Sequence, residues 1–136
     1  MDELPFVDEE LEPDPELNRI TNTVIGAAIA VHRALGPGYF ESVYENALVI
    51  EFLKRGIHFQ RQVTFPVLYD GQTVGEGKLD FLIEKKVIVE LKAVEALNSL
   101  HSAQVISYLK TTKCRLALII NFNVRKLVDG VRRIAL

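Results

Sequence analysis

Residues 78–92 read K-L-D-F-L-I-E-K-K-V-I-V-E-L-K, two apolar runs on either side of a charged turn. Alternate side chains of a strand lie on one face, so Glu90 and Lys92 are expected to point the same way. The second run is also apolar at residues 87–89 and at Leu91, which is typical of a strand covered on both faces. The pattern therefore predicts a central strand that carries charged side chains.

Asp80 in the first run adds a second carboxylate to this region. Burying charged groups is costly unless they pair with each other or hold a cation. Two acids and one amine at one place suit metal-assisted hydrolysis of a phosphodiester, because carboxylate oxygens bind Mg²⁺ and an ammonium group positions a water and offsets negative charge. The alternative is a surface hairpin with alternating charges, which fits poorly with the apolar side chains on both faces of the second run.

The metal-site hypothesis sets a requirement on the turn between the two runs. Asp80 and Glu90 lie on the same face only if the loop has an odd length, such as Glu84-Lys85-Lys86. A two-residue turn would send the two acids to opposite faces of the sheet. The hypothesis therefore predicts an odd loop or a compensating bulge.

A further strand is predicted upstream, because residues 57–69 alternate between apolar and polar side chains. Asp70-Gly71 then predicts a two-residue hairpin turn. This turn would place Arg61 opposite Asp80, unless the glycines of the second strand introduce a bulge that shifts the register.

Two helices are predicted before the strands. The first begins at Asp14-Pro15-Glu16, an N-cap followed by proline and an acid, and its apolar spacing runs to Leu35. The second is predicted over residues 40–55, with Leu53 among its inward side chains.

The remaining elements follow the charged strands. Residues 98–111 predict a helix, residues 115–122 a buried parallel strand, and residues 126–136 a short strand or a turn of helix. The order α-α-β-β-β-α-β indicates an α/β domain over residues 14–136, with a central mixed sheet flanked by helices.

Length and composition agree with one cytosolic domain. The chain of 136 residues is long enough to bury a core, and its one cysteine, Cys114, excludes a disulfide framework. We expect no membrane association, because no signal peptide or long apolar segment is visible. Residues 1–13 are expected to form an acidic, flexible tail, and residues 17–136 carry a net charge of about +6, which suits a polyanionic partner.

The arrangement of Asp80 followed by Glu90-x-Lys92 within this order of elements resembles the PD-(D/E)XK nuclease superfamily. The segment G-Y-F-E-S-V-Y at residues 38–44 is similar to the motif of the GxxExxY proteins, small prokaryotic members of that superfamily. The similarity covers about residues 17–136. It implies a restriction-endonuclease-like core and a metal-dependent nuclease.

The resemblance also implies roles for individual residues. Asp80 and Glu90 would bind Mg²⁺ or Mn²⁺ with help from the carbonyl of Leu91, and Lys92 would act on the attacking water. Related exonuclease-type members place a helix glutamate at the metal site, which points to Glu41.

Three helix residues carry weaker expectations. Glu45 lies one turn after Glu41 on the same helix face and is the alternative to it. Gln104 and Tyr108 match the Q-x-x-x-Y element of helicase-associated exonuclease domains, which implies contact with phosphate or support of Lys92. Glu41 also has an ordinary interpretation, since acids are favoured in the first turn of a helix. Gln104 facing Tyr108 likewise suits simple packing with a polar rim.

These observations lead to three functional hypotheses. The first is a nuclease that hydrolyses nucleic acid, with DNA as the expected substrate, by a metal-activated water. The second is an inactive domain of the same fold that binds nucleic acid or a protein partner. The third is a homodimer in which the acidic tail docks on the neighbouring copy.

Overall fold

A computed structural model describes residues 14–136 of the chain. The predicted acidic tail, residues 1–13, lies outside the described residues. None of the helices described is long and apolar enough to cross a membrane. The elements are α1 (Pro15–Leu35), α2 (Glu41–Arg55), β1 (Phe59–Tyr69), β2 (Gln72–Ile83), β3 (Val87–Lys92), α3 (Ser99–Thr112), β4 (Leu116–Asn121), a 3₁₀ helix (Leu127–Gly130) and β5 (Val131–Ala135).

Five strands form one mixed sheet in the order β1-β2-β3-β4-β5. β3 and β4 are parallel because α3 carries the chain across the sheet between them, and the other neighbours are antiparallel. α1 and α2 pack against one face of the sheet and α3 against the other. The two central strands are consequently buried on both faces, so the predicted α/β fold is confirmed.

The helix ends follow the local signals in the sequence. Asp14 caps α1, because its Oδ1 accepts the backbone N–H groups of Glu16 and Leu17 at 2.9 and 3.1 Å. The helix ends at Leu35, and the following Gly36 has a φ of 71°, in the region that favours glycine.

One predicted inward side chain of α2 is wrong. Leu53 is 67% exposed, whereas the neighbouring Phe52 is fully buried. Tyr44, Leu48 and Phe52 repeat every four residues and therefore share the face that packs on the sheet.

The β1–β2 hairpin turns at residues 70–71 as predicted. Its register then shifts by one residue beside Val67, which is the displacement that a bulge would cause. Arg61 consequently lies opposite Phe81 and not opposite Asp80. The predicted partnership between Arg61 and Asp80 is therefore wrong.

The turn between β2 and β3 has the odd length that the metal-site hypothesis requires. Ile83 pairs with Val87, so the loop between them consists of residues 84–86. If the same register is extended by one residue beyond Phe81 and Val89, Asp80 lies beside Glu90. The prediction about the loop is confirmed.

Candidate active site

The two strand acids meet where β2 and β3 stop pairing. The last paired residues of this ladder are Phe81 and Val89. Beyond them, the backbone N–H of Asp80 donates to Glu90 Oε2 at 2.8 Å, and the backbone N–H of Leu91 donates to Asp80 Oδ2 at 2.8 Å. Each carboxylate thus holds the backbone of the opposite strand, which fixes both acids side by side.

This exchange uses only one oxygen of each acid. Within residues 14–136, Asp80 Oδ1 and Glu90 Oε1 accept no hydrogen bond. The N–H and C=O of one strand residue point to the same side, so the carbonyl of Leu91 also faces β2. Carboxylate and carbonyl oxygens at one place are the donors that Mg²⁺ and Mn²⁺ prefer.

Burial makes the acid pair an unusual electrostatic site. Glu90 is 5% exposed, and burial together with the charge of Asp80 raises the pKa of Glu90 to about 8. Burial raises the pKa of Asp80 as well. The hydrogen bond from the N–H of Leu91 lowers this pKa, but burial has the larger effect. Without a cation, the pair therefore shares a proton at neutral pH.

Lys92 follows Glu90 by two residues in β3 and so lies on the same face. Its positive charge lowers the pKa of Glu90 and of Asp80, against the effect of burial. In the described part of the chain, no carboxylate lies within ion-pair distance of the Lys92 ammonium group. A half-buried lysine beside two acids is thus available to a water molecule or a phosphate.

The structure separates the two helix acids that the sequence left as alternatives. The charges of Glu45 and Glu41 both raise the pKa of Asp80, so both lie near it. Glu45 accepts hydrogen bonds from Arg61 at 2.6 Å and from Gln62 at 2.9 Å. Glu41 is exposed and accepts no hydrogen bond from any residue of the range 14–136. Glu41 therefore stays the candidate ligand, and Glu45 anchors β1 to α2.

Gln62 has a structural role that was not predicted. It has a φ of 53° and lies where the hairpin changes face, because Phe81 packs with α1 and α2 whereas Leu79 packs with α3. Asp80 sits between these two residues, at the change of face. The sequence feature that could have indicated this change of face is Arg61, a charged residue at a position where the alternating pattern of β1 expects an apolar one.

The contacts of Tyr44 explain why Gly38, Glu41 and Tyr44 follow each other at intervals of three residues. Its hydroxyl donates to the carbonyl of Gly36 at 2.6 Å and accepts the N–H of Tyr39 at 3.2 Å. Gly38 has a φ of 111°, which a residue with a Cβ rarely adopts. The loop before α2 is therefore held in place from one turn inside the helix, and this fixes the position of Glu41.

Asn121 is a second residue whose role was not predicted. It is buried at the end of β4, where its Oδ1 accepts the N–H groups of Val94 at 3.1 Å and Asn123 at 3.2 Å. Its Nδ2 donates to the carbonyl of Val94 at 2.9 Å. These bonds hold the segment that follows Lys92. A lone asparagine at the end of an apolar strand was the available signal.

Tyr108 and Gln104, the two predicted site residues of α3, have different surroundings. Burial raises the pKa of Tyr108, and the charges of Glu90 and Asp80 raise it further. The ring packs edge-on against Phe65 at 5.2 Å between centroids. Gln104 is exposed on α3. Contact of either residue with phosphate stays a prediction.

The donor set fits a hydrated divalent ion. No three His, Cys, Asp or Glu side chains form a metal-binding cluster in the part of the chain that the structure describes. The site instead offers two carboxylates and a backbone carbonyl. Mg²⁺ commonly keeps several waters and takes only one or two carboxylates plus substrate oxygens, so this incomplete set suits it.

Comparison with protein-family models relates the chain to known proteins. A family model for the PD-(D/E)XK nuclease superfamily matches residues 18–134, which include both strand acids and Lys92. A search of curated proteins finds no match. The match is to the superfamily, so the relation to the GxxExxY proteins stays a prediction.

Proposed function

Because the chain belongs to the PD-(D/E)XK nuclease superfamily, we propose that it hydrolyses phosphodiester bonds of DNA with Mg²⁺ or Mn²⁺ as cofactor. The observation that carries this proposal is the reciprocal bonding of Asp80 and Glu90, which leaves one oxygen of each acid without a protein donor. Two adjacent buried acids repel each other unless a proton or a cation lies between them. Such a site is expected to exchange its proton for a divalent ion.

The residues that would hold the ion lie on two strands and one helix. Asp80 and Glu90 supply carboxylate oxygens, Leu91 supplies its carbonyl, and Glu41 approaches from the first turn of α2. A bound ion supplies Lewis-acid stabilisation of the charge that develops on the phosphate, and it orients water. The fixed backbone of the strands holds these oxygens in place before substrate arrives.

Lys92 is proposed to act on the attacking water and on the phosphate. Its ammonium group has three donors and, in the residues described, no carboxylate partner. It can therefore donate to a phosphate oxygen and keep a water in line with the scissile bond. Tyr108, whose pKa is raised by the charges of both acids, is proposed to contact the same phosphate.

Replacing Lys92 by Ala tests this assignment. We expect cleavage of labelled DNA in Mg²⁺ or Mn²⁺ to slow by about a hundredfold, which is typical for loss of a group that moves or holds a proton. Binding of Mn²⁺ should persist, because both acids remain. Lys110→Ala, which removes an exposed lysine of α3, is the matched control and should cut at the wild-type rate.

Two results would count against the proposal. A Lys92→Ala protein that cuts as fast as wild type would remove the role given to Lys92. A wild-type protein that cuts neither DNA nor RNA in either metal, and holds DNA equally well in chelator, would instead support an inactive binding domain. That binding should weaken steeply with salt.

A further inference from the structure

Two exposed aromatic residues precede Glu41 in the chain. Tyr39 is 51% exposed and Phe40 is 83% exposed. We call these two residues the aromatic pair. Scattered apolar side chains on a surface are ordinary, but the aromatic pair directly adjoins a residue of the candidate active site.

The aromatic pair stands on a fixed backbone. The hydroxyl of Tyr44 bonds the backbone at Gly36 and at Tyr39. The ring of Tyr39 lies edge-on to that of Tyr44, with 6.2 Å between centroids. Phe40 is the N-cap residue of α2 and leads directly into the helix. A ligand that contacts these rings therefore meets a surface that needs little ordering on binding.

The aromatic pair also lies at the edge of the acid site. The ring of Tyr44, which holds the loop of the aromatic pair, stacks on Phe122 with 4.4 Å between centroids, and the backbone N–H of Phe122 donates to the carbonyl of Lys92 at 2.9 Å. Glu41 begins α2 directly beside this loop. Phe40 is the preceding residue in the chain. A nucleic acid whose phosphate lies at the acids would bring a neighbouring base to these rings, whereas a protein covering them would obstruct entry of the substrate.

We infer that the aromatic pair stacks against an unpaired base beside the scissile phosphate, so that single-stranded DNA or a frayed end is the preferred substrate. The inference rests on the proposed function and adds a substrate class to it. Bases within a duplex are stacked on each other and offer only their edges, whereas an unpaired base offers its flat face. Stacking on an aromatic side chain changes affinity by about fivefold to a hundredfold for each base.

Binding in the absence of metal provides the test. Anisotropy of a labelled oligo-dT strand and of a duplex of equal length, with ends closed by G·C pairs so that they do not fray, is measured in chelator. The measurement uses a Glu90→Gln background that neither cuts nor repels phosphate strongly. Phe40→Ala should weaken binding of the strand by about tenfold and leave binding of the duplex unchanged. Phe40→Trp should bind the strand at least as well as the parent protein.

Two variants separate stacking from simple apolar contact. Phe40→Leu keeps an apolar side chain without an aromatic face and should lose as much affinity for the strand as Phe40→Ala. Leu53→Ala removes an exposed apolar side chain from the other end of α2 and should have no effect. Equal loss for strand and duplex, no loss for either, or wild-type binding by Phe40→Leu would overturn the inference.

The outcome is separable from that of the proposed function. A protein that binds the strand through Phe40 but cuts nothing would refute hydrolysis and keep the stacking surface. A protein that cuts DNA but binds the single strand equally well without Phe40 would support hydrolysis and refute the stacking surface. A wild-type dimer that becomes a monomer in Phe40→Ala would also overturn the inference, because the aromatic pair would then be a contact between copies of the chain.

Discussion

Glu90→Gln is expected to lower the rate of DNA cleavage by about a thousandfold while making the metal-free protein more stable. The Gln side chain has nearly the same shape, and its carbonyl oxygen can still accept the N–H of Asp80 that Glu90 accepts at 2.8 Å. It lacks the charge that a divalent ion requires. The same substitution removes a carboxyl group whose ionised form is disfavoured by burial.

The gain in stability follows from the pKa of Glu90. Burial and the charge of Asp80 raise this pKa from 4.5 to about 8, and each unit corresponds to about 1.4 kcal/mol. At pH 8 we expect the free energy of unfolding of Glu90→Gln to exceed that of wild type by on the order of 2 to 4 kcal/mol, measured by urea denaturation in chelator. Glu76→Gln, which alters an exposed acid of β2, is the control and should change neither rate nor stability.

This combination of effects is specific to a functional acid. A buried glutamate that served only the fold would alter stability when it was replaced but would leave the rate of cleavage unchanged. Stability commonly rises when a strained or buried charge is removed from an active site. Normal cleavage by Glu90→Gln, or a loss of stability at pH 8, would contradict the role given to this residue.

The second large effect is the pH dependence of stability without metal. The folded protein holds the Glu90 proton more tightly than the unfolded chain, because the folded pKa of about 8 lies above the ordinary value of 4.5. The contribution of this group is therefore fully present below pH 4.5 and is lost as the pH rises to about 8. Between these limits, the free energy of unfolding should fall by about 1.4 kcal/mol for each pH unit.

Urea denaturation across this range in chelator measures the slope, and Asp80, whose pKa is also raised, contributes with the same sign. Saturating Mn²⁺ should raise stability at pH 8 and flatten the profile, since the ion replaces the proton. In the Glu90→Gln protein, the free energy of unfolding should depend much less steeply on pH. A wild-type profile that is already flat in chelator would show that the acid pair does not bind the proton in this way.

Local signals in the sequence accounted for much of the fold. The cap at Asp14 and the hairpin turn at residues 70–71 each depend on a few adjacent residues, and the structure has both. The apolar runs of β3 and β4 likewise predicted central strands. The adjacency of Asp80 and Glu90 was a requirement of the metal-site hypothesis, because a two-residue turn would have separated the acids, and the register of β2 and β3 meets it.

Features that depend on distant contacts were not predictable. Glu41 is favoured over Glu45 as the candidate ligand because Arg61 and Gln62 of β1 bond Glu45 and not Glu41. The change of face at Gln62 accompanies its φ of 53° and the packing of Phe81 and Leu79 on opposite sides of the sheet, and no local pattern sets its position.

One wrong prediction and one residue without a prediction arise from ambiguous local patterns. In α2, both Phe52 and Leu53 fit an apolar stripe, and only packing against the sheet decides that Phe52 is buried. Asn121 reads as the polar end of an apolar strand, and its partners lie in the segment after Lys92. Contacts between elements, which periodicity does not encode, decided both cases.

The central claim is that Asp80 and Glu90 exchange a shared proton for a divalent ion. Calorimetric titration of Mn²⁺ at pH 7, in two buffers of different ionisation enthalpy, measures ion binding and proton release together. We predict that wild type binds Mn²⁺ and releases about one proton for each ion, and that Glu90→Gln does neither. Absence of binding by wild type, or binding that is unchanged in both Glu90→Gln and Asp80→Asn, would contradict the claim.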